Sequence, residues 1–219
     1  MSQSETKRPI EQTPRGIAKW VNLDKPDTKY KDEGEYRVTL LLKGKEAEAL
    51  KVKIDRVITQ AVADAKMNPD NAKYLKKGGA GVKATEDLPY RPDTDKEGNE
   101  TEYTQFRFKA RASGKRKDGS VWTFKPRAFD NLGQPVDLTK VNVWGGTEMR
   151  VAYEMSPYGV REYSPKVGAG ASMKFSAVQI LKLKTGGGKD AAAFGFEVEE
   201  GEMPEEAGEN STPATDEEF

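Results

Sequence analysis

Hydrophobic and polar residues alternate in several short segments of this chain, which is the pattern of β-strands with one buried face. The alternation is most regular in residues 103–112, where three apolar side chains alternate with three cations. Phe106, Phe108 and Ala110 form the apolar set, and Arg107, Lys109 and Arg111 form the cationic set on the opposite face. The predicted strands are residues 16–23, 35–42, 103–112, 121–129, 148–155 and 171–183.

Residues 45–66 change from the two-residue period of a strand to the 3.6-residue period of a helix. The apolar positions of this segment share one face and are Leu50, Ile54, Val57, Ile58, Ala61 and Ala65. Asn68 and Pro69 are expected to end the helix. The pattern therefore predicts one helix, between the early strands, that packs on the sheet.

Turn-forming residues separate the predicted strands. Pro26 is expected to end the first strand, and the Asp118-Gly119 pair predicts a hairpin between the strands on either side of it. Residues 68–102 are polar and contain several glycines and prolines, so we expect a long loop that is functional or mobile. Residues 186–188 are three glycines, which suit a flexible joint.

These elements predict a mainly β fold. Five or so antiparallel strands with one inserted helix suit a five-stranded oligonucleotide-binding barrel, the OB fold, followed by a disordered acidic C-terminal tail. We expect residues 1–13 to be a flexible lead, 14–185 to form the barrel domain, and 186–219 to form the glycine linker and tail.

Composition argues against enzyme chemistry. The chain has no cysteine and no histidine, which removes disulfides, thiolate nucleophiles and the commonest general base and metal ligand. Residues 93–98 resemble the start of a calcium loop, but the twelfth position is Thr104 instead of the glutamate that binds the ion. We therefore predict no catalytic residue, no cofactor and no metal site.

Nothing in the sequence suggests export or membrane insertion. No stretch reaches the ~20 apolar residues that a transmembrane helix needs. Residues 1–15 lack the apolar segment of a signal peptide. We expect a soluble intracellular protein.

Charge is unevenly distributed along the chain. The 36 cations and 36 anions cancel overall, yet residues 190–219 hold eleven anions and no cation, so residues 1–189 carry a net charge of +11. A basic body attracts a polyanion, and a tethered acidic segment can compete for the same surface. The tail closes on Asp216, Glu217, Glu218 and Phe219, an ending that suits docking of an acidic peptide plus one ring into a partner.

The cationic strand continues into a cationic hairpin. Arg107, Lys109 and Arg111 repeat at about 6.6–6.8 Å along one strand face. Asp and Glu are absent from residues 103–117, and Lys115, Arg116 and Lys117 follow the strand. Exposed aromatic side chains beside cations can stack on nucleic-acid bases, and the candidates are Trp20, Tyr30 and Tyr158. We predict that these residues bind a single strand.

Two other functions fit the same residues. An RNA-binding barrel is one, because stacking faces do not separate the two sugars. An interaction scaffold is the other, in which the acidic tail recruits proteins and the barrel binds no nucleic acid. Trp122, Phe124, Phe106 and Phe108 are taken as candidates for the core.

Several blocks of the chain, in order, resemble the single-stranded-DNA-binding proteins of short-tailed bacteriophage replication systems. The blocks are Lys25-Pro26-Asp27, Tyr36-Arg37-Val38-Thr39-Leu40, Phe106-Arg107-Phe108-Lys109, Gly145-Gly146-Thr147-Glu148-Met149-Arg150-Val151 running to Pro157-Tyr158, Val167-Gly168-Ala169, Ser172-Met173-Lys174, Gly186-Gly187-Gly188, and the acidic tail ending in Phe219. The resemblance spans most of residues 16–219.

This resemblance implies an OB barrel with an extra helix, sequence-independent binding of single strands, and promotion of annealing. It also implies a homodimer, a tail that shields the DNA cleft and contacts the replicative DNA polymerase and helicase–primase, and a location in the cytoplasm of the infected bacterial host. The resemblance implies that Arg107 and Lys109 correspond to cationic strand positions of the family. It also implies that Trp20 corresponds to an aromatic position and Tyr158 to a base-stacking position.

Overall fold

Eleven strands and one helix make up the part of the chain that the computed structural model describes, which is residues 8–29, 32–68, 71, 82–160 and 168–184. The strands are β1 (Glu11–Gln12), β2 (Gly16–Asp27), β3 (Glu35–Lys43), β4 (Tyr90–Thr94), β5 (Glu100–Arg111), β6 (Ser113–Lys115), β7 (Val121–Thr123), β8 (Arg127–Phe129), β9 (Pro135–Val136), β10 (Glu148–Tyr158) and β11 (Gly170–Lys182). The helix is α1 (Gly44–Met67).

Five of these strands close into a barrel. β2 pairs with β3, β3 with β5, β5 with β11, β11 with β10, and β10 returns to pair with β2. Four of the five pairings are antiparallel and the β5–β11 pairing is parallel, with Lys109 opposite Lys174. This closed arrangement confirms the predicted five-stranded OB barrel, which removes exposed strand edges by closure.

The barrel interior is filled by the apolar positions that alternate along these strands. Phe106 and Phe108 are fully buried and Ala110 nearly so, while the cations between them face outward, as the alternation predicts. Phe108 packs edge-on against Tyr153 of β10, with ring centroids 5.2 Å apart. The strand faces of β5 are therefore confirmed.

Helix α1 covers one side of the barrel with the face that its sequence predicts. Its buried side chains are Ala47, Leu50, Ile54, Ile58, Ala61 and Ala65, and Val57 is partly buried against the same core. At the C-terminal end, the Asn68 amide donates to the Asp64 carbonyl at 3.1 Å. The Asn71 side chain donates to the Ala65 carbonyl at 2.7 Å, which satisfies a terminal acceptor.

Two strand predictions are corrected. The first strand does not end at Pro26 but runs to Asp27, because the β2–β3 pairing is irregular between Asn22 and Asp27 and no ladder bond depends on the missing proline N–H. Residues 121–129 form two strands instead of one. Pro126, which is buried, interrupts them, so that β7 pairs with β6 while β8 pairs in parallel with β11.

The hairpin predicted at Asp118-Gly119 is confirmed. β6 and β7 form a separate two-stranded sheet, and the Arg116 N–H donates to the Ser120 carbonyl at 2.8 Å across the turn. The hairpin is attached to the barrel through the Phe124 N–H, which donates to the Ala112 carbonyl at 2.7 Å.

The long polar segment is not a plain loop. Its part from Tyr90 to Thr94 is β4, which pairs with β5 and extends the sheet. The Tyr90 hydroxyl donates to the Asp55 carboxylate at 2.7 Å, which fastens β4 to α1. Burial, together with this hydrogen bond and the charge of Asp55, raises the pKa of Tyr90 to about 12.

Residues 185–219 lie outside the described part of the chain, as do residues 1–7. The predicted domain boundaries, linker and tail therefore stay predictions. No helix in the described ranges has the length and apolar character of a transmembrane span.

Candidate nucleic-acid interface

A groove of about 520 Å³ opens beside the outer face of β5 and the first half of β11. Its lining includes four cations and two aromatic side chains, and we call it the barrel groove. The cations are Arg107, Lys109, Arg111 and Lys174, and the aromatic residues are Trp122 and Tyr158. The structure thus brings together Arg107, Lys109, Arg111 and Tyr158, four of the residues predicted to bind a single strand.

Lys174 enters the groove through the parallel pairing of β5 and β11. It lies opposite Lys109, so a fourth cation joins the row of three on β5. Lys174 was not among the predicted site residues, because nothing local to β11 indicates which strand it will pair with. Arg37 lies opposite Lys109 on the other side, in β3.

Carboxylates from other elements partly neutralise the cationic row, although β5 carries none between residues 103 and 111. Arg107 forms an ion pair with Asp87, Nη2 to Oδ1 2.5 Å, and also donates to the Leu88 carbonyl. Lys109 Nζ is 3.9 Å from the Glu35 carboxylate, which also pairs with Arg37 at 3.2 Å. Four cations against Asp87 and Glu35 leave the groove lining with a net positive charge.

One donor of this row has no partner among the described residues. The Nε of Arg107 is buried and makes no hydrogen bond there.

The segment that carries Asp87 is held against the barrel by backbone hydrogen bonds. The Thr85 N–H donates to the Ala169 carbonyl at 2.8 Å, and the Arg107 N–H donates to the Pro89 carbonyl at 2.8 Å. Ala84 and Ala169 form a parallel bridge beside them. These contacts place the Asp87 carboxylate at the Arg107 end of the groove.

Tyr158 lies at the end of β10 directly opposite Gly170 of β11. A Cβ at position 170 would be 2.5 Å from the Tyr158 hydroxyl oxygen and 2.7 Å from its Cζ. The absence of a side chain at Gly170 therefore makes room for the phenol ring against the backbone.

Trp122 lies opposite a glycine in the small hairpin, as Tyr158 does in the barrel. The expectation that Trp122 belongs to the core is wrong. The residue lies opposite Gly114, and a Cβ at 114 would be 2.7 Å from the indole Cζ2. The indole is only partly buried and lines the barrel groove. Phe124 packs partly buried against the core, edge-on to Tyr36 at a centroid distance of 6.3 Å.

Trp20 lies on the outer face of β2 and is 61% exposed. It is opposite Thr39 of β3, which in turn lies opposite Arg107, so the three residues form one row across the sheet. The described residues that line the barrel groove do not include Trp20. The ring therefore extends the outer face beside the groove instead of forming its wall.

The three hairpin cations Lys115, Arg116 and Lys117 are exposed at and beside the turn. They belong to the same hairpin as Trp122 but are not among the described residues that line the groove. Tyr30 and the tail residues Asp216, Glu217, Glu218 and Phe219 lie outside the described ranges.

A second groove, of about 610 Å³, lies between the second half of β2 and residues 138–144. Trp144 lines it and is 51% exposed. Its charged lining residues are Asp24, Lys25, Asp27 and Lys29, which balance, so it attracts a polyanion less than the barrel groove does. Within the described ranges, no cluster of three acidic side chains could hold a metal ion.

The family model described as "Single-stranded DNA-binding protein, Bacteriophage T7" matches residues 15–183. The chain belongs to this family. The family resemblance drawn from the sequence is thereby confirmed. No curated protein sequence matches the chain.

Solved structures of phage single-stranded DNA-binding proteins are similar to this family member. The crystal structure of gp2.5 from bacteriophage T7 has a TM-score of 0.63 and 22% sequence identity, and the match covers 90% of this chain and 98% of gp2.5. The single-stranded DNA-binding protein of bacteriophage Enc34 has a TM-score of 0.49 at 17% identity, covering 83% of this chain and 87% of its own. At such identities the gp2.5 match supports the fold and does not locate the site.

Proposed function

We propose that this chain binds single-stranded DNA without sequence preference, through the barrel groove. The observation that carries the proposal is the convergence of four cations and Tyr158 on one groove at the outer face of the barrel. In this proposal, phosphates bind Arg107, Lys109 and Arg111, and a base stacks on Tyr158. Trp20 and the hairpin cations Lys115, Arg116 and Lys117 extend the site on either side, and Tyr30 is a further stacking candidate.

The chemistry of these side chains supports binding without sequence preference. Phosphate contacts position a strand but do not read its sequence. Stacking on an aromatic ring is tolerant of sequence because every base has a π-face. Lys109 and Lys174, opposite each other across β5 and β11, offer ammonium groups to a backbone and no planar edge for a base.

We also propose that the protein acts in phage DNA replication and recombination, where it protects single strands and promotes annealing. The acidic tail covers the groove in the free protein and recruits the replicative DNA polymerase and helicase–primase through Asp216, Glu217, Glu218 and Phe219. The net charge of +11 on residues 1–189 and the eleven anions beyond them support this competition. The protein works as a homodimer in the cytoplasm of the infected host and has no enzymatic activity.

Oligo-dT binding measured over a range of salt concentrations tests the proposal. The affinity should fall with salt at a slope of roughly −0.7 per phosphate neutralised. Lys109→Gln removes one phosphate contact and should reduce the slope by roughly 0.7. Lys45→Gln is the matched control, because it makes the same change of charge on an exposed helix residue away from the groove.

Absence of oligo-dT binding rejects the proposal and favours the interaction scaffold. Binding that does not depend on salt also rejects the proposal, because phosphate contacts to the cations would then not carry it. Competition with oligo-U separates DNA from RNA. If oligo-U displaces oligo-dT at equal or lower concentration, the chain is an RNA-binding barrel instead.

A further inference from the structure

We propose that Trp122 is a second base-stacking residue, at the opposite end of the cationic row from Tyr158. This inference rests on the proposed binding of single-stranded DNA and adds a residue to that site. The observations that carry it are the position of the indole in the barrel groove and its seat on Gly114.

Strand register places the two aromatic residues at opposite ends of the row. β5 and β11 run parallel with Lys109 opposite Lys174, so Gly170 lies toward the Arg107 end of β5. Tyr158 is paired with Gly170 and lies at that end. Trp122 is paired with Gly114, which follows Arg111 along the chain, so it lies at the other end.

The distance along the row suits a short stretch of nucleic acid. From Arg107 to Arg111 the strand rises about 13 Å, because each residue adds ~3.3 Å. The row of three cations thus has an aromatic ring at each end. This is the combination with which proteins bind single strands, a cationic track flanked by stacking platforms.

Both rings are positioned by a glycine on the facing strand. A Cβ at Gly114 would approach three indole atoms to between 2.7 and 2.9 Å, just as a Cβ at Gly170 would meet the phenol of Tyr158. Each ring is thus packed against a backbone, which limits the rotamer freedom that a bound base would otherwise have to restrict.

A structural role alone does not account for the position of Trp122. Phe124, two residues later and beyond the end of β7, packs edge-on against Tyr36 and joins the hairpin to the core. Trp122 instead lines the groove together with Arg111 and Lys109. The hairpin therefore places its larger ring beside the cations and its smaller ring against the core.

Tryptophan fluorescence tests the inference without removing Trp122. The chain has three tryptophans, so Trp20→Phe with Trp144→Phe leaves Trp122 as the only one. Saturating oligo-dT should strongly quench its emission. Trp20→Phe with Trp122→Phe is the matched control, because the remaining Trp144 lines the other groove and its emission should change little.

Affinity provides the second measurement. Trp122→Ala should weaken oligo-dT binding by roughly 5- to 150-fold, the range expected for loss of one stacked base. Trp122→Phe should recover most of the loss, and Trp144→Ala should bind as the unmodified chain does. Thermal unfolding of each variant verifies that the barrel is intact.

The outcomes separate this inference from the proposed function. If the unmodified chain binds oligo-dT but the emission of Trp122 is unchanged at saturation, the inference is wrong and the proposed function stands. Unchanged affinity of Trp122→Ala leads to the same conclusion. If the unmodified chain does not bind, the proposed function fails and the inference fails with it.

Discussion

Asp87 and Arg107 form an ion pair at one end of the barrel groove, between a carboxylate that is 71% exposed and a guanidinium that is 24% exposed. The two residues are twenty positions apart, Asp87 in the segment before β4 and Arg107 in β5. The pair places an anion of the protein itself where the proposed function requires a phosphate. A bound strand would therefore have to compete with Asp87 for Arg107.

Asp87→Asn should tighten oligo-dT binding, because it removes this competing charge. An exposed ion pair is worth about 0.2–1 kcal/mol, so the gain should be roughly 1.5- to 5-fold in affinity at low salt. Glu86→Gln is the matched control, since it makes the same change of charge at the neighbouring exposed position. Equal effects of the two variants would show that general charge, and not the pair, limits binding.

Gly170→Ala should displace Tyr158, because the new methyl group would lie 2.5 Å from the hydroxyl oxygen and 2.7 Å from Thr85 Cγ2. Such overpacking costs about 1–3 kcal/mol, which thermal unfolding will measure, and oligo-dT binding should weaken along with it. Gly159→Ala is the control, since its Cβ would meet no described atom within 4 Å. Unchanged unfolding and binding of Gly170→Ala would contradict the packing described here.

Asp93→Asn should destabilise the barrel in a pH-dependent way. Asp93 is buried, and burial alone would raise its pKa, but hydrogen bonds from Lys19, Gln105 and Thr101 outweigh burial and hold the pKa below its ordinary value. A depressed pKa means that the ionised carboxylate stabilises the fold above about pH 4, and that this stabilisation is lost as the pH falls through the folded-state pKa.

At pH 7, the free energy of unfolding of Asp93→Asn should be lower by about 1–3 kcal/mol, because Lys19 loses its anionic partner. The difference should shrink progressively below about pH 4, where the protonated acid and the amide become similar. Denaturant unfolding at several pH values measures it. Glu97→Gln, at an exposed position nearby, should leave the free energy of unfolding unchanged. If Asp93→Asn lowered the free energy of unfolding by the same amount at every pH, the stabilising role of the ionised Asp93 carboxylate would be refuted.

Deletion of residues 197–219 should tighten oligo-dT binding severalfold, because it removes a tethered anionic competitor. The effect should be largest at low salt, where charges are screened least. A tail of the same length with Asp and Glu replaced by Asn and Gln separates charge from length and should match the deletion. Unchanged or weaker binding in both variants would refute the shielding role of the tail.

The local pattern of the sequence determined the elements that depend on periodicity. The alternation in residues 103–112 defined which face of β5 is buried, because neighbouring side chains of a strand must point in opposite directions. The face of α1 and the hairpin at Asp118-Gly119 followed from equally local rules. The order of these elements predicted the OB barrel, and the resemblance to the phage single-stranded-DNA-binding proteins implied the same fold.

Tertiary structure decided which further residues join the predicted cations and Tyr158 in the groove. Asp87, Lys174 and Trp122 reach the cations of β5 from three other segments, and no periodicity within those segments indicates their partners. Strand pairing is set by closure of the whole barrel, as the parallel pairing of Lys109 and Lys174 shows. The pairing of β4 has the same cause, because a strand forms only where a partner edge is available.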